Sequence, residues 1–412
     1  MKTTIEFIKL TILTVGGALA ILLLTGVASF ANEFESYVIP QEDLNKFHAL
    51  PKEHKIQSCG FQQYNHNVLN SSYYSMSDRI EGYNSRMDNW NVVHGAGSQN
   101  ASEAFAEAVT FALVVQDDEL TEKIFQKLYK WADEGALLGT TSCYNRNPND
   151  KIKAHCEGEW SDKNGQDLAP IKDATASLEI AHAMMGSYYV LLADYKPNDP
   201  RHDTIKKYFK QWNKRFPLVD KFYWGNLIGW SLPNITIKWS QDKSYKGLVK
   251  NMIKGADRWI LKDGSMKNRT TRGNRALWYH FTAINEAFLA MEIARAAGVK
   301  LPKNYEKELL LAVELWHKAY LDNSYITPWA KKAHNSQFDK NNPHYQKFNN
   351  KLSTQKRDSW WMFAMQYRYP DHPTSKFLAD KLSKRMYNQV TKVDPLLGFG
   401  AGCVYAALTD AK

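Results

Sequence analysis

The sequence predicts an all-α protein, a set of helical hairpins closed into a ring around a central cleft. Three observations lead there. Apolar residues recur at helical spacing in segment after segment, strand-like alternation is weak except near the two ends, and no fixed sequence repeat is present. Helices joined by short connections must bury their apolar stripes against one another. The missing repeat argues against a regular solenoid, which leaves a ring of paired helices.

The helices are expected at 101–116, 120–132, 173–192, 204–216, 243–260, 274–297, 305–321, 356–368 and 375–386. The segment 173–192 shows the pattern well, with Ala174, Leu178, Ala181, Met184, Tyr188 and Leu191 recurring on one side. One stretch departs from it. Residues 138–168 are rich in Gly, Asn, Asp and Lys and poor in large apolar side chains. A connection of that length is expected to be functional, and it reads as a lid over the cleft.

The N-terminus sets the expected compartment. Lys2 and Lys9 precede an apolar run over 10–30, and Ser29-Phe30-Ala31 offers small residues for signal cleavage. A signal peptide over 1–31 is expected, with an uncleaved membrane anchor as the alternative because the run is long enough to span a bilayer. The body, 32–412, is then one periplasmic or secreted domain.

Four cysteines in an oxidising compartment suggest disulfides. Cys143 and Cys156 bracket a short polar stretch and are expected to pair, leaving Cys59 and Cys403 to join the two ends of the chain. Neither Cys-x-x-Cys nor His-x-x-x-His spacing occurs, so no metal and no cofactor is expected.

A net charge of +10 favours an acidic partner. Lys and Arg are spread through folded segments rather than gathered in a run, which argues against a nucleic-acid-binding tail. With 13 Trp and 22 Tyr, the chain has broad aromatic surfaces on which sugar rings can stack. An acidic polysaccharide is the expected partner, bound by a monomer, with membrane contact only through an uncleaved N-terminal segment.

The densest chemistry lies in Arg272-Gly273-Asn274-Arg275-Ala276-Leu277-Trp278-Tyr279-His280. With Arg272 near helical geometry, Arg272, Arg275 and Tyr279 share one helix face across two turns. Guanidiniums beside a phenol favour its anionic form, and a phenolate can act as a base. The same guanidiniums can clamp a carboxylate through two parallel hydrogen bonds.

This segment resembles the signature of the alginate lyase family typified by periplasmic poly-mannuronate lyases: Arg, two residues, Arg-Ala-Leu, one residue, Tyr-His. Three other stretches are similar and in the same order: Tyr74 to Asp78, Lys130 to Leu137, and Trp224-Gly225-Asn226-Leu227-Ile228-Gly229-Trp230. The resemblance covers about residues 55–370. It implies an incomplete (α/α) toroid and cleavage of a mannuronate or glucuronate polymer by β-elimination.

Carried over residue by residue, the resemblance makes Tyr279 the proton-transfer group, with Arg272 and Asn226 on the uronate carboxylate. Arg275, Trp224, Trp230 and Tyr73 complete the substrate-binding set. Leu227 stands where the family has a His, and Tyr73 lies near the position of a family Lys. His94 and His280 are the candidates to supply the missing imidazole. Two other functions fit the same composition: a glycoside hydrolase on a helical toroid, with Asp263 and Glu286 as available acids, and a non-catalytic protein that binds an acidic exopolysaccharide.

Overall fold

The computed structural model describes residues 36–62, 64, 75–80, 96–140, 169–215, 235, 245–332, 343–346, 359–383, 393–394 and 396–412. These residues are mostly helical, without a β-strand among them; two isolated bridges, Ile260 to Met266 and Asp394 to Phe399, are the only strand-like pairings they contain. Residues 35–412 form one compact unit. Among the described residues no helix is long and apolar enough to cross a membrane. The signal segment, Asn226, Leu227, Trp224, Trp230, Tyr73, His94, the Cys143–Cys156 pair and residues 141–168 of the expected lid lie outside the described residues.

Two short helices open the body: α1 (Gln41–Ala49) and α2 (Lys52–Cys59). Each starts directly after a proline, Pro40 and Pro51, whose fixed φ suits a helix entrance. Gly60 closes α2 at φ 76, where a side chain would be strained. These helices replace the strand-like pattern read near the N-terminus.

α3 (Ala96–Val115) and α4 (Asp118–Asp133) follow as a hairpin. Asp117 caps α4 by accepting the Leu120 N–H at 2.8 Å, and acidic residues fill its first turn. α5 (Ala169–Ser187) runs into a single widened turn, Tyr188–Leu192, and α6 (Arg201–Arg215) then packs on α4.

The next group is α7 (Lys246–Asp257), α8 (Ala276–Ala296) and α9 (Tyr305–Leu321), each packed on its neighbour. The short α10 (Thr327–Ala330) leads on to α11 (Trp361–Arg368), α12 (Pro373–Ser383) and α13 (Ala401–Asp410). α13 packs against α11 and also against α1 and α2, while α2 packs on α3. The first and last helices of the body therefore share one core.

Three devices secure that closure. The first is the expected disulfide between Cys59 and Cys403, with Cα atoms 4.9 Å apart across 344 positions of sequence. The second is a buried charge network. The Arg368 guanidinium donates to Glu292 Oε2 at 2.6 Å and also to the Asp43 carboxylate. The Tyr405 hydroxyl donates to Glu292, and the Tyr367 hydroxyl to Asp43 at 2.8 Å. Removing one partner from such a set leaves a buried charge uncompensated and costs about 3–5 kcal/mol.

The third device is a close approach. Gly186 on α5 faces the Leu397 carbonyl, and Gly398, at φ 76, faces the Ala183 carbonyl; a Cβ at either would overlap backbone. Beside them the His182 Nδ1–H donates to the Leu396 carbonyl at 2.7 Å, and its Nε2 accepts from the Tyr37 hydroxyl at 2.6 Å.

Candidate functional site

The nine-residue segment at 272–280 makes the entrance to α8, though not as a continuous helix. Arg272 is outside helical geometry at φ −110, ψ 32, and Gly273 turns the chain at φ 56. One 3-10 turn, Gly273–Arg275, leads into α8 at Ala276. Arg272 thus departs from the expectation that it continues the helical face. The positive φ at Gly273 redirects the backbone before the first α-helical turn.

The side chains meet nonetheless. The Arg272 guanidinium carbon lies 4.2 Å from the centre of the Tyr279 ring, and that of Arg275 lies 5.2 Å from it. Arg275 Nη1 also approaches the Tyr279 hydroxyl at 3.4 Å. A third guanidinium, that of Arg269, lies 5.1 Å from the same ring centre. Arg269 was not singled out from the sequence; its spacing, 269, 272 and 275, is the signal that could have found it. Three guanidiniums around one aromatic ring form a cation–π cluster and a concentrated positive field. Tyr279 is half-buried, and the Trp278 ring flanks it at 4.7 Å.

The loop under this cluster is held from a distance. Gln346, fully buried, accepts the Leu277 N–H at 3.0 Å and donates to the carbonyls of Gly273 and Pro343 at 3.0 Å each. It satisfies a backbone donor in the first turn of α8, which the helix itself leaves open. Below lies an aromatic platform in which Trp361 touches Trp316, Phe281 and Phe288, with ring centres 5.3–5.7 Å apart. Such close packing fixes the angle at which α8 presents Tyr279. In the loop itself, Thr271 Oγ1 and Asn274 Oδ1 are buried without a hydrogen-bond partner, an arrangement that calls for a reason.

His280 takes a different direction from the arginines. It is fully buried, its Nε2–H donating to the Ala312 carbonyl at 2.9 Å and its Nδ1 accepting from the Thr270 hydroxyl at 2.9 Å. Thr270 Oγ1 in turn accepts the Met266 N–H at 2.7 Å. Burial pushes the imidazole pKa down to about 4, so it is neutral and joins α8 to α9 and to the 266–270 turn. The expectation of His280 as a sugar contact is corrected here: both ring nitrogens are committed to the interior.

The two acids weighed for hydrolysis are also placed. Asp263 accepts from the Ser265 N–H at 3.0 Å and from the Trp329 indole at 3.0 Å. Partial burial pushes its pKa up, and the bonds from Ser265 and Trp329 outweigh that, leaving it lowered overall. Glu286 is buried within α8. Among the described residues no group of three or more His, Cys, Asp or Glu side chains is arranged to hold a metal ion.

Two other stretches singled out in the sequence meet each other. The Leu137 N–H donates to the Ser77 carbonyl and the Gly139 N–H to the Asp78 carbonyl, both at 2.9 Å. Thr140 accepts from the Ile80 N–H at 2.9 Å, which anchors the chain where residues 141–168 begin. A scan against protein-family models finds no match to this chain, and a search of curated proteins finds none either.

Proposed function

We propose that this chain is an exported polysaccharide lyase that cleaves a mannuronate or glucuronate polymer by β-elimination. The observation that carries the reading is the convergence of Arg269, Arg272 and Arg275 on the half-buried Tyr279. Two of these arginines and the tyrosine are the residues that the sequence resemblance selected. The fold that goes with the reading is an incomplete toroid. The packing of helices in chain order, with α13 returning to α1 and α2, supports it.

Elimination removes the proton at C5 of the uronate, next to the carboxylate. That proton is barely acidic in water. Neutralising the carboxylate lets the developing charge spread into it, and guanidiniums do this through charge-assisted bonds. Arg272 takes this role, with Arg275 and Arg269 adding to the field; Asn226, by resemblance, adds an amide donor. Tyr279 as phenolate takes the C5 proton, the electron pair forms the C4–C5 double bond, and the C4–O bond breaks. The departing C4 oxygen then receives the proton from the tyrosine. In both sugars the C5 proton and the C4 oxygen lie on the same side of the ring, so one group can serve both.

The sugar chain would lie across Trp224, Trp230 and Tyr73, with His94 remaining as the candidate imidazole. The test is to incubate the full chain with polymannuronate and with polyglucuronate and follow near-ultraviolet absorbance from unsaturated ends. Unsaturated products support the lyase. New reducing ends without the double bond would make it a hydrolase, and an uncut polymer that still binds would make it a carrier.

A further inference from the structure

A second charged feature lies at the other end of α8. Tyr279 stands in its first turn, whereas the loop after its last turn, 298–302, forms one wall of a groove against α7. Twenty residues of helix and turn separate the two, roughly 30 Å at helical rise. The groove has a volume of about 630 Å³, within the range that takes a short oligosaccharide.

Its rim carries Lys246, Lys250, Lys254, Arg258 and Lys300, all exposed, against a single lining carboxylate, Asp257. Its floor is apolar, with Ile253, Val299, Leu301 and Pro302. The lysines of α7 repeat at i, i+4 and i+8, so they form one stripe along the helix. On α1 and α4 the corresponding i, i+4 lysines are neutralised by Glu42 and Glu119. Among the described residues none of the four groove ammoniums has a carboxylate partner. Like charges at this spacing weaken a helix, and Lys246 at its first position opposes the helix dipole as well. An anion lying along the stripe would reverse both costs.

We infer that this groove is a second binding site for the acidic polymer, distinct from the Tyr279 site. Uronate carboxylates would meet the ammoniums of Lys246, Lys250, Lys254 and Lys300, while the C–H faces of the sugar rings rest on Val299, Leu301 and Pro302. A linear polyanion suits a linear row of point charges better than a compact anion does. The apolar floor between the charges suits sugar rings. The choice of a glycan over other polyanions rests on the lyase reading. The groove's preference for a polyanion rests only on its own charges.

The experiment measures retention of the full chain on immobilised polymannuronate and polyglucuronate at low salt. Vesicles of anionic phospholipid serve as the rival surface, and cleavage is followed in parallel. Lys246→Glu, Lys250→Glu and Lys254→Glu together should weaken retention on the polymer about tenfold or more. Gly247→Leu keeps every cation and adds an apolar side chain at a residue that lines the groove, where a Cβ meets nothing within 4 Å; it too should weaken retention. Tyr279→Phe should stop cleavage and leave this retention in place.

A triple variant held as tightly as the parent would overturn the inference, as would a parent chain not retained on either polymer. Loss in the triple variant with none in Gly247→Leu would reduce the groove to general surface charge and also overturn it. Loss on vesicles alone would assign the stripe to a lipid surface instead. Should no polymer yield unsaturated ends while both groove variants still lose retention, the lyase reading fails and the groove stands.

Discussion

The neutral, buried His280 makes the protein sensitive to mild acid in a way that can be assigned to one residue. Its pKa is pushed down to about 4 by burial, against about 6.5 in an unfolded chain. Between these values the unfolded state binds a proton that the folded state refuses, so stability falls as the pH falls. Above pH 6.5 the term vanishes; at pH 5 it reaches about 2 kcal/mol, and below pH 4 it is complete at about 3 kcal/mol. For a body of this length, 2 kcal/mol corresponds to about 2–3 °C in melting temperature.

His280→Gln isolates the effect. The glutamine amide can still donate to the Ala312 carbonyl, but it does not titrate. The variant should melt below the parent at pH 7, having lost the Thr270 bond at a cost of about 1–3 kcal/mol. The gap should then narrow by about 2–3 °C at pH 5, because only the parent loses the proton-linked term. Calorimetric melts of both proteins at pH 7, 6 and 5 measure it. A gap that stays constant or widens would show that His280 is not held neutral by the fold. His182 and His48, also pushed down to about 4, should contribute in the same direction in both proteins and cancel from the comparison.

Four further outcomes are expected. Tyr279→Phe keeps the ring under the guanidiniums and should lower turnover on the uronate polymer by at least ~10²-fold, with the melting temperature little changed; full activity in this variant would remove the proposed mechanism. Reducing the Cys59–Cys403 bond reopens a 344-residue loop and should lower stability by about 5 kcal/mol, read as a drop in the urea midpoint between oxidised and reduced chains. Gly398→Ala should cost more than about 3 kcal/mol, because its Cβ would overlap the Ala183 carbonyl at a backbone angle that disfavours side chains. Gly247→Ala, with open space around it, should leave the melting temperature equal or higher.

The fold was legible wherever a helix is buried on one face. The sequence placed α9 at 305–321, as in the structure, because apolar and charged residues segregate along it. α13 was missed for the opposite reason: Ala401 through Leu408 are all buried, so no polar face marks the period. α1 and α2 were missed although Pro40 and Pro51 announced their starts. The Arg–Tyr pairing was legible from spacing, but the route to it was not. The break at Gly273 and the support from Gln346, 69 positions from the backbone amide it holds, depend on tertiary structure. His280 follows Tyr279 in the motif, yet one step along a helix is enough to turn it from the half-exposed face into the interior.

The pairing of Cys59 with Cys403 also fixes an order of events during synthesis. α2 leaves the ribosome with its cysteine 344 residues ahead of the partner, roughly 20–70 s earlier at ordinary rates of elongation. Its docking surface on α13 does not yet exist during that interval, and Asp43 on α1 waits for Arg368 over nearly the same span. α2 can dock on α3 early, but its contact with α13 and its disulfide must wait, with Cys59 a free thiol, until almost the whole chain has been made. A chaperone that holds the emerging segment, or an oxidant that acts late, would raise the yield of native protein. Premature oxidation of Cys59 with either cysteine made in between, Cys143 or Cys156, would trap a chain unable to close.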